Sequence, residues 1–137
     1  SGEQKHRVAI AGILAIHPSI MILDEATSML DPRGRLEINE LVRELNKEEG
    51  MTILSITHDI EEAAKSDNVV LLNDGHIVNQ GKPEDVLCDV KQIASLQLDV
   101  PFAYKISSAL KKQGFHIDPT INQEKLVKAL CQLHSKM

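Results

Sequence analysis

The chain has 137 residues, which suffices for one domain with a small appendage and for a buried core. Its 15 basic and 20 acidic residues give a net charge of -5, which disfavours a nucleic-acid-binding or anionic-membrane-binding surface. Cys88 and Cys131 stand far apart, which fits a reducing cytosol better than a disulfide framework or a zinc site.

The first half of the chain predicts alternating helices and strands. Apolar residues on all faces of residues 8–16 predict a buried helix that Pro18 ends, because a residue before proline avoids the helical region. This run is far shorter than the roughly 20 residues of a membrane span. Residues 20–23 are continuously apolar, as in a strand of a parallel sheet covered on both faces. Asp31 then caps an amphipathic helix that Gly50 ends.

A second strand, a short helix and a hairpin follow. Residues 51–56 predict the strand, and Asp59 with Glu62 has the capping-box spacing that opens a helix. Residues 69–72 predict a third strand, and Asp74-Gly75 predicts a hairpin turn, because both central turn positions need a positive φ. Alternating strands and helices in this order predict an α/β fold with a parallel sheet.

Beyond Gly81 the sequence predicts only helices and loops. Two apolar helical stripes are expected, one of Phe102, Ile106, Ala109 and Leu110 that ends at Gly114, the other of Leu126, Leu130 and Leu133 capped by Asn122. A boundary is expected within residues 82–89. The predicted domains are therefore residues 1–82 and a helical extension, residues 83–137.

Polar side chains follow two of the predicted strands. Asp24 and Glu25 end one apolar strand, and His58 follows the next. Ligands of open α/β sheets bind beyond the carboxyl ends of the strands, so these groups are expected to converge. An acid at this position suits Mg²⁺ beside a nucleotide, and a second acid suits a base that aligns and deprotonates water. Asp24 is thus the predicted metal ligand and Glu25 the catalytic base.

Simpler interpretations remain open for each of these residues. Strands often end in polar side chains, and the His58 imidazole could satisfy only a backbone group. Ser1 and Gly2 precede a predicted helix, whose unpaired N–H groups favour a phosphate, although an ordinary helix start has the same pattern.

The segments SGEQKHRVAIAGILAIHPSIMILDEATSMLD and ITHD resemble, in order and spacing, the signature motif, Walker B strand, D-loop and switch histidine of ABC ATPases. The resemblance spans residue 1 to about residue 81. It implies a P-loop NTPase-like fold that binds ATP and Mg²⁺ between two subunits. Ser1, Gly2 and Gln4 would contact the γ-phosphate held by the other chain, Asp31 would lie at the dimer seam, and His58 would sense the γ-phosphate.

Within ABC ATPases, the segments DEATSMLDP, VAIAG, LSITHDIEEA and LDVPF resemble ATP-binding subunits of energy-coupling factor transporters. That family powers uptake of vitamins or transition-metal ions. Its members pair two homologous ATPase subunits, as a heterodimer, with a membrane coupling protein and a substrate-binding membrane component. The resemblance therefore implies a peripheral protein at the cytoplasmic face of the cell membrane, with no membrane span of its own and no nucleic-acid partner.

Two departures from the family pattern limit what the resemblance implies. Glu3 stands where the signature usually has a second glycine, and its carboxylate would repel a triphosphate unless it turned away. No G-x-x-x-x-G-K-[ST] phosphate loop occurs in these residues, so the predicted sheet is incomplete. We therefore expect this chain to be the part of a longer protein that follows the phosphate loop, and to be inactive alone.

Two other functions are weighed against a transport ATPase. A soluble ABC protein acting on ribosomes or chromosomes is disfavoured by Ser28 and Met29, where ribosome-associated members carry asparagine and histidine, and by the net acidity. A regulatory or dimerisation module formed by the residues beyond Gly81 remains an alternative, although helical stripes of this kind are more often core than interface.

Overall fold

The structure, a computed structural model, describes residues 2–135, without the side chains of residues 2, 3, 6 and 7. By its contacts the chain divides into two units, between His58 and Asp59. The first unit contains α1 (Gly2–Leu14), β1 (Ile20–Asp24), α2 (Pro32–Glu49) and β2 (Thr52–Ile56). The second contains α3 (Ile60–Ala63), β3 (Val69–Asn73), β4 (His76–Gly81), α4 (Pro83–Val86), α5 (Val90–Ser95), α6 (Phe102–Lys112) and α7 (Gln123–His134).

The first unit is built on two parallel strands and the long helix between them. Strand β1 pairs with β2 in parallel, and Asp24 is opposite Ile56 at the carboxyl end. Met21 and Leu23 of β1 are buried together with Met51. The predicted helix caps are confirmed, because the Asp31 carboxylate accepts from the amide of Gly34 and Gly50 adopts a left-handed conformation with φ 66°.

The end of α2 is joined to the start of β2 by a side chain. The Asn46 amide group donates to the carbonyl of Met51 at 2.8 Å. Gly50 reverses the chain between these two residues, so this short connection holds the helix close to the strand that it precedes.

Two expectations about burial in this unit are wrong. Strand β1 is not covered on both faces, because Ile20 and Ile22 are 63% and 61% exposed. In the part of the chain that the structure describes, the buried apolar contacts of β1 are made by Met21 and Leu23 on the opposite face. Helix α1 is likewise buried on one side only, since Ile10 is buried whereas Val8 is exposed.

The second unit begins with α3 and an antiparallel hairpin. Asp74 and Gly75 have φ 48° and 76°, which confirms the predicted turn between β3 and β4. Strand β3 pairs with β4 in antiparallel orientation, from Val69 opposite Gly81 to Asn73 opposite His76. One core cluster of this unit contains Val69, Leu71, Val86, Leu87 and Ile93, against which Ile60, Ala63 and Ala64 pack.

Helix α6 packs through small residues rather than through its predicted stripe. Ala103 and Ser107 are fully buried, whereas Phe102, which was expected in the stripe, is largely exposed. The Ser107 hydroxyl donates to the Ala103 carbonyl at 2.7 Å and accepts from the amide of Thr120 at 3.0 Å. These bonds hold the helix close to the segment that precedes α7, where Leu126 is buried.

The helices of the second unit otherwise follow the sequence pattern. Asn122 caps α7, as predicted, by accepting from the amide of Lys125 at 2.9 Å. The predicted domain boundary near residue 82 stays a prediction, and α4, which follows it, contacts both β3 and β4. Among the described residues, no helix combines the length and apolar character that crossing a membrane requires.

Candidate functional site

The candidate site lies at the carboxyl edge of the parallel sheet. Strand β1 ends at Asp24 and β2 ends at Ile56, and the two residues are opposite each other. The backbone amide of the next residue, Glu25, donates to the Ile56 carbonyl at 2.9 Å. This bond continues the ladder past the strand end and places Glu25 directly at the edge where ligands of α/β sheets bind.

Glu25 and His58 form a hydrogen-bonded pair at this edge. His58 Nδ1 lies 2.8 Å from Oε1 of Glu25, and the side chains are 77% and 40% exposed, respectively. An ionised carboxylate can only accept, so this bond requires the proton on Nδ1. The contact confirms that these two predicted residues converge, and it gives the imidazole a side-chain partner in place of a purely backbone one.

The backbone of Glu25 is strained, and hydrogen bonds from Ser28 hold it in place. Glu25 has φ 48°, a left-handed conformation that costs a non-glycine residue about 1–3 kcal/mol. Its carbonyl accepts two bonds from Ser28, one from the hydroxyl at 2.7 Å and one from the amide at 3.0 Å. This turn directs the carboxylate toward His58. Strain of this kind concentrates at functional sites.

Arg35 supports the same turn from the first part of α2. Its Nε donates to the Leu30 carbonyl at 3.3 Å and its Nη2 to the Ser28 carbonyl at 3.4 Å. The supporting roles of Ser28 and Arg35 were not predicted from the sequence. Arg35 lies four residues after the Asp31 cap and close to a polar turn. This position is the sequence feature from which its role could have been predicted.

Asp24 is exposed and lies on the same face of the sheet as Ile22. Among the described residues no cluster of three or more His, Cys, Asp or Glu side chains could hold a metal ion. Mg²⁺, however, is commonly held by only one or two carboxylates together with nucleotide phosphates and water. The exposed oxygens of Asp24 suit such a magnesium ion, so the donor chemistry fits the predicted role.

The other predicted site residues lie on α1 and at the start of α2. Helix α1 begins at Gly2, Gln4 is exposed in its first turn, and Ser1 lies outside the described residues. Asp31 is exposed, and its Oδ1 accepts from the amide of Gly34 at 2.7 Å. The structure therefore gives Asp31 a capping role in addition to the predicted role at a subunit seam.

Solved ATP-binding cassettes share this fold. CbiO1 from Clostridium perfringens, described as part of the ABC transporter complex CbiONQ, is 40% identical with a TM-score of 0.59, over 81% of this chain and 43% of that chain. The dimeric cassette MJ0796 bound to ADP and phosphate is 38% identical with a TM-score of 0.58, over 61% of this chain and 36% of that chain. The fold is that of an ABC ATPase cassette, as predicted.

Curated relatives show which group of ABC ATPases this chain resembles. The energy-coupling factor transporter ATP-binding proteins EcfA1 of Lactobacillus delbrueckii subsp. bulgaricus and Geobacillus kaustophilus are each 50% identical to it. The matches cover 100% and 99% of this chain and 49% of each relative, so the chain spans about half their length. The family model for the energy-coupling factor transporter EcfA1 C-terminal domain matches residues 101–137. The chain thus resembles the C-terminal half of the ATP-binding proteins of energy-coupling factor transporters, which confirms the predicted resemblance.

Proposed function

We propose that this chain supplies the signature and hydrolytic residues of an energy-coupling factor ATPase subunit, which couples ATP hydrolysis to uptake of vitamins or transition-metal ions. The observation that carries the proposal is the Glu25–His58 pair at the carboxyl edge of the parallel sheet. Two groups able to accept and donate protons meet there beside an exposed carboxylate, Asp24. The similarity to EcfA1 proteins and to solved ABC cassettes supports the same function.

The three residues have separate roles in this proposal. Asp24 would hold Mg²⁺, which, when bound, supplies positive charge to the phosphate oxygens. Glu25 aligns the attacking water and accepts its proton on the carboxylate. The Nδ1–H group of His58 donates a hydrogen bond to Glu25, which orients the imidazole so that its other ring nitrogen can respond to the γ-phosphate.

The start of α1 is assigned to a nucleotide held by a second subunit. The first amide groups of a helix have no intrahelical partners and favour an anion, which supports phosphate binding at Gly2. Ser1 and Gln4 are assigned to the same γ-phosphate, and Asp31 to the seam between subunits. The side chain of Glu3 lies outside the described part of the structure, and its carboxylate would repel this phosphate unless it turned away.

The proposed assembly follows from the family. A homologous ATPase subunit would be the second half of a heterodimer, and a membrane coupling protein with a substrate-binding membrane component would place the complex at the cytoplasmic face of the membrane. Residues 1–82 would form the nucleotide-binding part and residues 83–137 the helical extension. The match of residues 101–137 to the EcfA1 C-terminal domain supports this division.

The 137 residues alone are proposed to bind ATP with negligible affinity. They contain no phosphate-loop motif, whose backbone and lysine hold the β- and γ-phosphates in P-loop proteins. Isothermal titration of this chain with ATP and Mg²⁺ tests the point. Tight magnesium-dependent binding would show that the site is complete without that loop.

The proposed hydrolytic role is tested in a complete ATP-binding subunit assembled with its partner. Glu25→Gln removes the proton acceptor and should lower ATP turnover by about 100-fold or more, while the ATP-bound closed dimer accumulates. Glu40→Gln, at an exposed position of α2, makes the same chemical change and should leave turnover unchanged. Normal turnover in Glu25→Gln would remove Glu25 from the mechanism.

A further inference from the structure

Glu61 joins the two C-terminal helices to the short helix α3. One oxygen of its carboxylate, Oε1, accepts from the backbone amide of Phe102 at 2.6 Å. The other, Oε2, accepts from the side-chain amide of Gln123 at 3.1 Å. Phe102 and Gln123 are the first residues of α6 and α7, and they lie 41 and 62 residues away along the chain. One carboxylate therefore holds the beginnings of both helices.

Helix α6 needs this contact because its own sequence supplies no cap. Pro101 occupies the N-cap position and makes no side-chain hydrogen bond, and the first turn contains no acidic residue. The first amide groups of a helix lack intrahelical partners, and the positive end of the helix dipole favours a negative charge. Glu61 supplies both the acceptor and the charge from a distant part of the chain.

Glu61 is itself held by the residue that follows His58. Asp59 caps α3, and its Oδ1 accepts from the amides of Glu61 at 2.9 Å and Glu62 at 3.3 Å. Ile60 of the same helix packs against the core of the second unit. Consecutive covalent and hydrogen bonds thus lead from His58 through Asp59 and Glu61 to α6 and α7.

We propose that Glu61 is a positioning residue that makes α6 and α7 move with α3 when the backbone at His58 responds to the nucleotide. The inference rests on the proposed ATPase function. Its consequence is reciprocal, because a contact that lets the nucleotide state bias the two helices also lets the helices bias the nucleotide state. The helical extension is then mechanically coupled to hydrolysis.

The test uses a complete ATP-binding subunit in its assembled transporter. Glu61→Ala removes both acceptors and should lower kcat for ATP hydrolysis about fivefold or more. Glu61→Gln keeps one oxygen that can accept from Phe102, so it should restore most of the turnover. Glu124→Gln, an exposed glutamate in the first turn of α7, is the matched control and should behave as the wild type.

Hydrogen exchange separates positioning from simple stability. In Glu61→Ala the amide of Phe102 should exchange faster, while the amides of β1 and β2 keep their protection. Faster exchange with unchanged kcat, or unchanged exchange, overturns the inference. Turnover of Glu25→Gln is measured in parallel. If Glu25→Gln loses turnover as expected while Glu61→Ala keeps the wild-type kcat, this inference alone is rejected. Full turnover in Glu25→Gln rejects the proposed function as well.

Discussion

The amide of Glu25 donates to the Ile56 carbonyl at 2.9 Å even though Glu25 has left the extended conformation of β1 and adopts φ 48°. The bond and the strain occur at the same residue. The parallel ladder therefore holds in place a backbone conformation that a glutamate rarely adopts by itself.

The strain at Glu25 predicts an unusual order of stabilities. Glycine has no Cβ and tolerates a positive φ, whereas alanine does not, so Glu25→Gly should be more stable than Glu25→Ala by about 1 kcal/mol. Both variants lose the carboxylate and should lose ATP turnover in the complete subunit. Chemical denaturation gives the free energies of unfolding. A more stable alanine variant would show that Glu25 is not left-handed in solution.

The two roles of Asp31 can be separated by two substitutions. Asp31→Ala removes the acceptor for the Gly34 amide and should cost about 1 kcal/mol of stability. Asp31→Asn keeps a capping oxygen and should retain nearly all of it. If Asp31 also contacts a second subunit through its charge, the asparagine variant weakens dimerisation without loss of stability. Thermal denaturation and sedimentation measure the two effects.

The exposed face of the parallel sheet predicts self-association of the 137-residue chain. Ile22 and Leu54 are register partners on this face, and both are exposed. Ile22→Thr with Leu54→Thr should reduce light scattering and leave the unfolding free energy nearly unchanged, because neither side chain is buried. Met21→Thr, one position away on the buried face, should cost about 2–5 kcal/mol. Equal effects from both faces would contradict the observed register.

The two cysteines should differ in reactivity. Burial raises the pKa of the Cys88 thiol, and the nearby carboxylates of Glu84 and Asp85 raise that pKa further. Only the thiolate reacts, so a raised pKa lowers the reactive fraction near neutral pH, and alkylation of Cys88 should accelerate as the pH rises. Cys131 is exposed and should react first with iodoacetamide. Mass spectrometry assigns the sites, and Glu84→Gln should speed the reaction at Cys88.

Helix and turn ends were predictable because they depend on neighbouring residues. Asp31 reaches an amide three positions away, and Asp74-Gly75 needs only its own positive φ values. The convergence of Glu25 and His58 was also predictable, because the carboxyl ends of parallel strands share one edge. Each of these inferences uses a short range of sequence or a rule of sheet geometry.

Packing partners were not predictable in the same way. An apolar strand residue such as Ile22 suits a buried face, yet which face is covered depends on distant elements. Ala103 and Ser107 are buried in place of Phe102, and Ser107 accepts a hydrogen bond from the amide of Thr120, a contact that no local periodicity encodes. The positive φ of Glu25 is likewise set by its surroundings, since its residue type favours other conformations.

The register between β1 and β2 also sets the positions of the proposed catalytic side chains. Sliding one strand by a single residue would expose Met21 and Leu23 to water and give the Glu25 amide a different acceptor from Ile56. The buried side chains of Met21 and Leu23 thus help to set the position of Glu25 relative to His58. A substitution in this buried cluster would therefore displace the reaction centre as well as destabilise the sheet.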